Sequence, residues 1–207
     1  MGNLTARILR TSILACVCIP AYALAEVHLG FDRSVYSAPP GGIVQVQVRI
    51  DGLGDSVAPS LGSFDFSVAY DPAILSFTGA TFGDPILGNQ LNLEGHANLP
   101  SSIVTTPAAV ELSLVSFDSA NTLDTQQQGA FTLATISFSA LTARSSPLAI
   151  SILSLADSQG DPLAATLSGA TVVVPEPRAM VILMIGMLVM MGWAARRRMD
   201  RSPPFSL

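Results

Sequence analysis

The sequence predicts an all-β domain, a two-sheet antiparallel sandwich, followed by one C-terminal transmembrane helix. Residues 26–174 contain many short segments in which apolar and polar side chains alternate, as they do in half-buried strands. Clusters of Pro, Gly and Asp, which form turns, separate these segments. Near the C-terminus, residues 179–195 form an uncharged run of seventeen residues, at the lower end of the roughly 17–25 that cross a bilayer.

The alternation is clearest at residues 44–50 and 63–70, where apolar side chains occupy every second position. Segments with the same period occur at residues 27–31, 110–114, 131–138, 148–152 and 172–174. Turns are predicted at residues 39–42, 71–72, 83–85 and 160–162. No segment has the apolar stripe of an amphipathic helix, which favours a sandwich. The polar residues expected to face outward are Gln45, Gln47, Ser63, Ser67 and Ser137.

The charges divide the chain into three parts. Residues 1–25 carry two Arg and no acidic residue, residues 26–175 carry three Arg against thirteen Asp and Glu, and residues 176–207 carry five Arg against two acidic residues. An acidic middle between basic, apolar ends is typical of an exported membrane protein. It argues against nucleic acid as a partner, because nucleic-acid binding needs a basic surface.

Residues 1–25 have the form of a secretory signal peptide. The apolar run of residues 11–19 is too short to span a bilayer, and Pro20 ends it. Ala23 and Ala25 supply the small residues that signal peptidase reads, so cleavage is predicted after Ala25. An uncleaved N-terminal anchor is the alternative.

Both cysteines of the chain, Cys16 and Cys18, lie in this leader. Cleavage would therefore leave no disulfide, no catalytic thiol and no thiolate metal ligand. A lipoprotein is a further alternative, because residues 13–16 loosely resemble a lipobox.

Residues 179–195 are predicted to form the transmembrane helix, because the run shows no polar face of the kind that a buried core helix would expose. A tryptophan at the end of the run suits the headgroup level, and three arginines follow at once. The positive-inside rule then places the tail, residues 196–207, in the cytoplasm and residues 26–175 outside. The residues that anchor and orient the helix are Trp193, Arg196, Arg197 and Arg198.

A stiff Pro-Glu-Pro stretch, formed by Val174, Pro175, Glu176 and Pro177, precedes this helix. On its own it would be a plain stalk. The order of Pro-Glu-Pro, apolar helix and Arg cluster over residues 174–198 resembles the PEP-CTERM sorting domain of Gram-negative bacteria. That resemblance implies recognition and cleavage by a membrane-embedded exosortase. It also implies a host that makes exopolysaccharide and release to the cell surface or extracellular matrix.

The landmarks of the middle segment follow a recognisable order. Tyr70-Asp71-Pro72 with Leu75 ends the second clear strand, a Gly-led strand runs over residues 129–138, and Asp157 and Gly160 precede a closing strand. Over nearly all of residues 26–174 this order resembles the cohesin domain. The resemblance implies a nine-stranded jelly roll that binds a ligand on one sheet face and performs no chemistry. In cellulosomes that ligand is a dockerin. Whatever the family, Asp71 and Pro72 are expected to start a turn, and Leu75 and Phe77 to return to the core.

No catalytic or cofactor motif is found in residues 26–174, and the sequence predicts neither an enzyme nor a metal or cofactor site. His28 and His96 are far apart and lack metal-ligand spacing, so both are expected to be surface residues. Three groups of acidic and amide residues lie in predicted loops, but their spacing matches no known calcium loop, and their side chains are expected to be solvated. They are Asp51 with Asp55, Asp118 with Asn121 and Asp124, and Asp157 with Asp161.

The sequence therefore predicts a non-catalytic, exported binding module of the cell surface or matrix, processed by signal peptidase and exosortase and held in the membrane by its C-terminal helix. The candidate ligands are a dockerin-like protein and a polysaccharide. A carbohydrate-binding module that recognises exopolysaccharide on a sheet face is the main alternative. A secreted hydrolase is the remote one, because no pair of carboxylates in a cleft is evident.

Overall fold

Two β-sheets packed face to face make up the body of the protein, in a computed structural model that describes residues 26–176 and 186–191. Eleven strands and one short helix lie in the first of these ranges. They are β1 (Val27–Phe31), β2 (Val35–Ser37), β3 (Ile43–Asp51), β4 (Leu61–Ala69), β5 (Leu75–Phe82), β6 (Ser101–Thr106), β7 (Ala109–Val115), α1 (Ala120–Gln126), β8 (Phe131–Ala140), β9 (Ser145–Asp157), β10 (Ala165–Leu167) and β11 (Ala170–Val173).

The strand order is β10-β1-β3-β8-β5 in the first sheet and β2-β11-β9-β4-β7-β6 in the second. This confirms the predicted all-β, two-sheet sandwich. The prediction of antiparallel pairing throughout is wrong at the edges, because β1 pairs with β10, and β2 with β11, in parallel. Each of these pairs joins the start of the domain to its end, with both segments running in the same direction. Alternation along one strand carries no information about this relative direction.

The predicted alternation matches the buried face of each sheet. Val46, Val48 and Ile50 of β3 are fully buried, and Phe64 and Phe66 of β4 point into the same core. The rings of Phe64 and Phe66 lie 5.3 Å apart between centroids. Burial of these side chains from both sheets is the main source of stability in such a sandwich.

The first and last segments of the domain are each divided between the two sheets. β1 belongs to the first sheet and β2 to the second, and β10 and β11 are divided in the same way. The hydroxyl of Tyr36 donates a hydrogen bond to Asp32 in the link between β1 and β2. Burial of Tyr36, followed by this hydrogen bond and the carboxylate charge, raises the pKa of the phenol. If β1 with β2, and β10 with β11, are each counted as one divided strand, the eleven strands become the nine expected of a cohesin-like jelly roll.

The turn at residues 39–42 forms as its composition predicts. Pro40 occupies the second position, and Gly41 adopts a φ of 77° at the third. The amide of Gly42 donates to the carbonyl of Pro39 at 2.8 Å, which closes a type II turn. A residue with a side chain would be strained at Gly41.

The Tyr-Asp-Pro corner has the structural role expected from the sequence. The carboxylate of Asp71 accepts from the amide of Ala73 at 2.9 Å, and the Asp71 carbonyl accepts from the amide of Leu75 at 2.9 Å. Tyr70 packs on Phe138 of β8 with ring centroids 4.9 Å apart. Leu75 is fully buried and begins β5. The corner therefore turns the chain from the second sheet into the first.

The sequence did not predict α1 or β6. Helix α1 has seven residues, of which only Leu123 is buried, so it has no apolar stripe to detect. Ser119 caps it by accepting from the amide of Thr122. Strand β6 is an edge strand exposed along its whole length, so apolar and polar residues do not alternate in its sequence.

Asp84 organises the long connection from β5 to β6. Its carboxylate accepts from the amides of Ile86 at 2.8 Å, Leu87 at 3.0 Å and Thr132 of β8 at 2.9 Å. Burial raises the pKa of Asp84, but the hydrogen bonds from Leu87, Thr132 and Ile86 outweigh this effect, and the pKa lies below its ordinary value.

We expect Asp84→Asn to lower the free energy of unfolding by roughly 1–3 kcal/mol at pH 7, because an amide has only one acceptor atom for three donors. A depressed carboxyl pKa stabilises the fold above about pH 4 and loses this effect as the pH falls further. The difference between the two proteins should therefore shrink at pH 3. Urea unfolding at both pH values measures it. The control is Asp161→Asn, since Asp161 bonds to Asp157 through its backbone N–H and carbonyl rather than through its carboxylate. Equal losses in both variants at pH 7 would contradict this role.

At the C-terminal end, residues 186–191 are helical. In the described ranges, no helix reaches the length and apolar character needed to cross a membrane. The remainder of the predicted helix at residues 179–195, the signal peptide with Ala23 and Ala25, and the orienting residues Trp193 and Arg196 to Arg198 lie outside the described residues.

Candidate binding face

The outer face of β9, β4, β7 and β6 is covered mainly by small side chains. Along β4 the outward positions are Ser63, Asp65, Ser67 and Ala69, which alternate with the buried residues of the core. The neighbouring strands continue the pattern in register: Ser67 lies beside Ser151 of β9, and Asp65 lies beside Ser113 of β7. We call this surface the serine face. The residues that define it are Ser63, Asp65, Ser67, Ala69, Glu111, Ser113, Ala149 and Ser151.

Asp65 sits at the centre of the serine face. Its Oδ1 atom is shielded from solvent and accepts no hydrogen bond. In residues 26–176 only one other side-chain atom, His96 Nε2, shares this condition. A buried carboxylate oxygen without a donor is energetically costly, and a donor brought by a ligand would remove that cost.

The charge and rim of the serine face also suit a protein ligand. Asp65 and Glu111 give it a negative charge, and none of the residues that define it is basic. Leu153 at a β-bulge, Val104 of β6 and Val115 of β7 are 56%, 48% and 44% exposed. Exposed apolar side chains beside a surface of small residues offer area that a protein partner can bury.

The opposite face of the sandwich carries neutral amide and hydroxyl side chains at its centre. Gln47 of β3 lies beside Thr135 of β8, and Gln45 lies beside Ser137. We call this surface the glutamine face, defined by these four residues. The five polar residues predicted to face outward thus divide between the two faces, with Ser63 and Ser67 on the serine face and Gln45, Gln47 and Ser137 on the glutamine face.

A third cluster brings together Glu94, His96 and Asp118. His96 Nε2 lies 3.4 Å from Glu94 Oε2 and 3.5 Å from Asp118 Oδ1. The side chain of Asp118 is fully buried, where it accepts from the amides of Leu93 at 2.6 Å and Glu94 at 3.1 Å. Hydrogen bonds from the Thr122 hydroxyl and then the Ser119 amide lower the pKa of Glu94.

The expectation of solvated carboxylates is therefore wrong for Asp118, because the loop at residues 93–94 wraps its amides around this side chain. The expectation is also wrong for Asp124, which accepts from the hydroxyls of Ser60 and Ser158, the latter at 2.8 Å. Asp51 lies 3.4 Å from His28, and Asp157 accepts from the amides of Gln159 and Asp161 in its own turn. The surface position expected for His28 and His96 is partly correct, since 36% and 37% of their side chains are exposed.

The structure places the start of the predicted sorting motif at the end of the sandwich. Val174 is buried, and its amide donates to the carbonyl of Arg144 at 2.9 Å. Pro175 and Glu176 are exposed immediately after it, and Pro177 lies outside the described residues.

Comparison with known proteins points to one family. The cohesin domain family matches residues 34–174. No curated protein matches the sequence of the chain.

Solved structures resemble the sandwich at low sequence identity. The sixth cohesin of scaffoldin B from Acetivibrio cellulolyticus, solved with a Cel5 dockerin, is 17% identical with a TM-score of 0.56, and the match covers 72% of this chain and 99% of that one. A type I cohesin of Clostridium thermocellum, also solved with a dockerin, is 16% identical with the same TM-score and the same coverage. A non-cellulosomal cohesin from the archaeon Archaeoglobus fulgidus is 17% identical with a TM-score of 0.54, covering 73% of this chain and 93% of its own. At such identities the likeness establishes the fold.

Proposed function

Since this chain belongs to the cohesin family, we propose that it is a non-catalytic module that binds a protein partner on its serine face. The observation that carries the proposal is the Oδ1 atom of Asp65, which has no hydrogen-bond donor although Asp65 occupies an outward position of β4. Because this oxygen is shielded, the Asp65 side chain would turn on binding so that an arginine or lysine of the partner donates to it, and the small side chains around it would allow close approach.

A dockerin-like module is the first candidate partner. The cohesins of Acetivibrio cellulolyticus and Clostridium thermocellum that resemble this chain were solved in complexes with dockerins. The negative charge of the serine face sets a further requirement, namely a partner surface with basic residues and an apolar rim that meets Leu153, Val104 and Val115.

Polysaccharide binding on the glutamine face is the second candidate function. Amide and hydroxyl groups of Gln45, Gln47, Thr135 and Ser137 lie in two adjacent rows and can both donate and accept hydrogen bonds. This face would recognise a neutral sugar chain, whereas the serine face suits a basic protein surface.

Two assays with the purified full-length chain separate these functions. The first measures retention of dockerin modules encoded in the same genome, and the second measures retardation of the chain in gels that contain the host exopolysaccharide. Dockerin retention without retardation supports the proposal. Saturable retardation without dockerin retention would favour the carbohydrate-binding alternative and contradict it.

We further propose that the module is exported and carried to the cell surface or matrix, with the PEP-CTERM-like segment as its exosortase signal. The buried Val174, which follows β11 directly, supports this, because Pro175 and Glu176 then emerge at the surface of the domain, where an enzyme can reach them.

Replacing Pro175, Glu176 and Pro177 with alanine should abolish processing and leave a membrane-bound form. Immunoblots of membrane and released fractions measure this outcome. A released fraction equal to that of the unmodified chain would contradict a sorting role for the motif.

A further inference from the structure

We propose that Glu94, His96 and Asp118 form a binding site for a divalent metal ion of the zinc class. Each residue offers one ligand atom, and the three atoms lie within 4.8 Å of one another. Glu94 and His96 come from the connection between β5 and β6, and Asp118 comes from the connection between β7 and α1. The ion would therefore join two loops that are far apart in sequence.

The distances in this cluster match those around a tetrahedral ion. With metal–ligand bonds of about 2.1 Å, a tetrahedral site places its ligand atoms about 3.4 Å apart. His96 Nε2 lies 3.4 Å from Glu94 Oε2 and 3.5 Å from Asp118 Oδ1. A direct hydrogen bond between a protonated histidine and a carboxylate would be shorter, at about 2.7–2.9 Å. The geometry thus leaves room for an ion between the atoms.

The state of His96 Nε2 is the second observation. This atom is shielded from solvent and has no hydrogen-bond partner, although it points between two carboxylates. A neutral imidazole nitrogen with a free lone pair is the preferred ligand of zinc-class ions. Binding of such an ion would give this nitrogen a partner and would neutralise the charges of both carboxylates.

Surrounding hydrogen bonds hold the three ligands in place. The Oε1 atom of Glu94 accepts from the Ser119 amide, which leaves Oε2 for the ion. The side chain of Asn92 accepts from the amide of His96 at 2.7 Å and donates to its carbonyl at 3.1 Å. Partners of this kind fix the orientation of metal ligands.

The ligand set distinguishes between classes of ion. Calcium takes six to eight oxygen ligands, and magnesium prefers an octahedral shell of oxygen. One imidazole and two carboxylates instead suit zinc, with water in the fourth position. The site therefore differs from a calcium loop, in which all the ligands are oxygen atoms.

Titration of the full-length chain with Zn²⁺ tests the site. Cys16 and Cys18 are replaced with serine, because cysteines are themselves zinc ligands. We expect one Zn²⁺ per chain, and at free Zn²⁺ about 100 times its Kd we expect the Tm to rise by roughly 5–10 °C. Co²⁺ should show the visible absorption of tetrahedral coordination.

His96→Gln removes a ligand, and we expect it to weaken binding at least about 100-fold, since loss of a supporting partner alone costs 10–100-fold. His28→Gln is the matched control, because His28 has a single carboxylate, Asp51, beside it. Glu94→Gln is a second test should His96→Gln unfold, as shown by circular dichroism. Absence of saturable Zn²⁺ binding, equal binding by the His96 and His28 variants, or an equal Tm rise with Ca²⁺ would overturn the proposal.

Discussion

Replacing Gln127 with alanine should lower the free energy of unfolding by roughly 3–5 kcal/mol. Gln127 is fully buried where α1 ends. Its side chain accepts from the amide of Leu61 at 2.6 Å and donates to the carbonyls of Leu61 at 2.9 Å and Gln90 at 3.0 Å. Alanine would leave three backbone groups in the interior without partners, and each such group costs about 1–3 kcal/mol.

The effect should be large because Gln127 joins three elements. Leu61 begins β4, Gln90 lies in the connection from β5 to β6, and Gln127 itself follows α1. Gln128→Ala is the matched control, since Gln128 is next in sequence and half-buried, and its backbone N–H rather than its side chain donates the hydrogen bond to Gln90 Oε1 at 3.1 Å. Urea unfolding of the full-length chain measures both variants. A loss below about 1 kcal/mol for Gln127→Ala would show that water or a shift of the loop replaces these contacts.

The sequence predicted the sheets better than the connections between them. Strands such as β3 and β4 are buried on one face and exposed on the other, so their side chains alternate in chemistry and can be recognised. Helix α1 and edge strand β6 each bury too little apolar surface to leave such a pattern. The burial of Gln127 could not be predicted either, because the residue type alone does not distinguish a buried glutamine from an exposed one.

The candidate sites were only partly predictable for a related reason. Ser63 and Ser67 were expected to face outward and do so, but the alternation does not say that Gln45 and Ser137 lie on the opposite face. Asp65 occupied an outward position in the predicted strand, yet its unpaired oxygen depends on neighbours from two other strands. His96 and Asp118 are separated by 22 residues, and no short spacing motif could bring them together.

The proposal that the serine face binds the partner predicts that a single arginine on this face blocks binding. Ser67 lies near the centre of this face, between Glu111 of β7 and Ser151 of β9. An arginine there would project from a surface of small side chains and would also reduce the net negative charge of Asp65 and Glu111 from two to one. Substitutions at the centre of an interface have the largest effects, so we expect Ser67→Arg to weaken binding of the partner about 100-fold or more.

Ser137→Arg is the matched control. Ser137 is also a half-buried serine on a central strand, but it faces outward from the other sheet. Both variants should unfold at urea concentrations close to that of the unmodified chain, because an outward arginine leaves the core unchanged. Any difference in affinity between the two variants therefore shows which face binds the partner.

The most direct measurement is the Kd of the full-length chain and of these two variants for a dockerin module encoded in the same genome, obtained by titration calorimetry. A Kd raised about 100-fold or more by Ser67→Arg and changed less than about twofold by Ser137→Arg is the predicted result. Loss of binding in Ser137→Arg with full affinity in Ser67→Arg would contradict it and would place the ligand on the glutamine face.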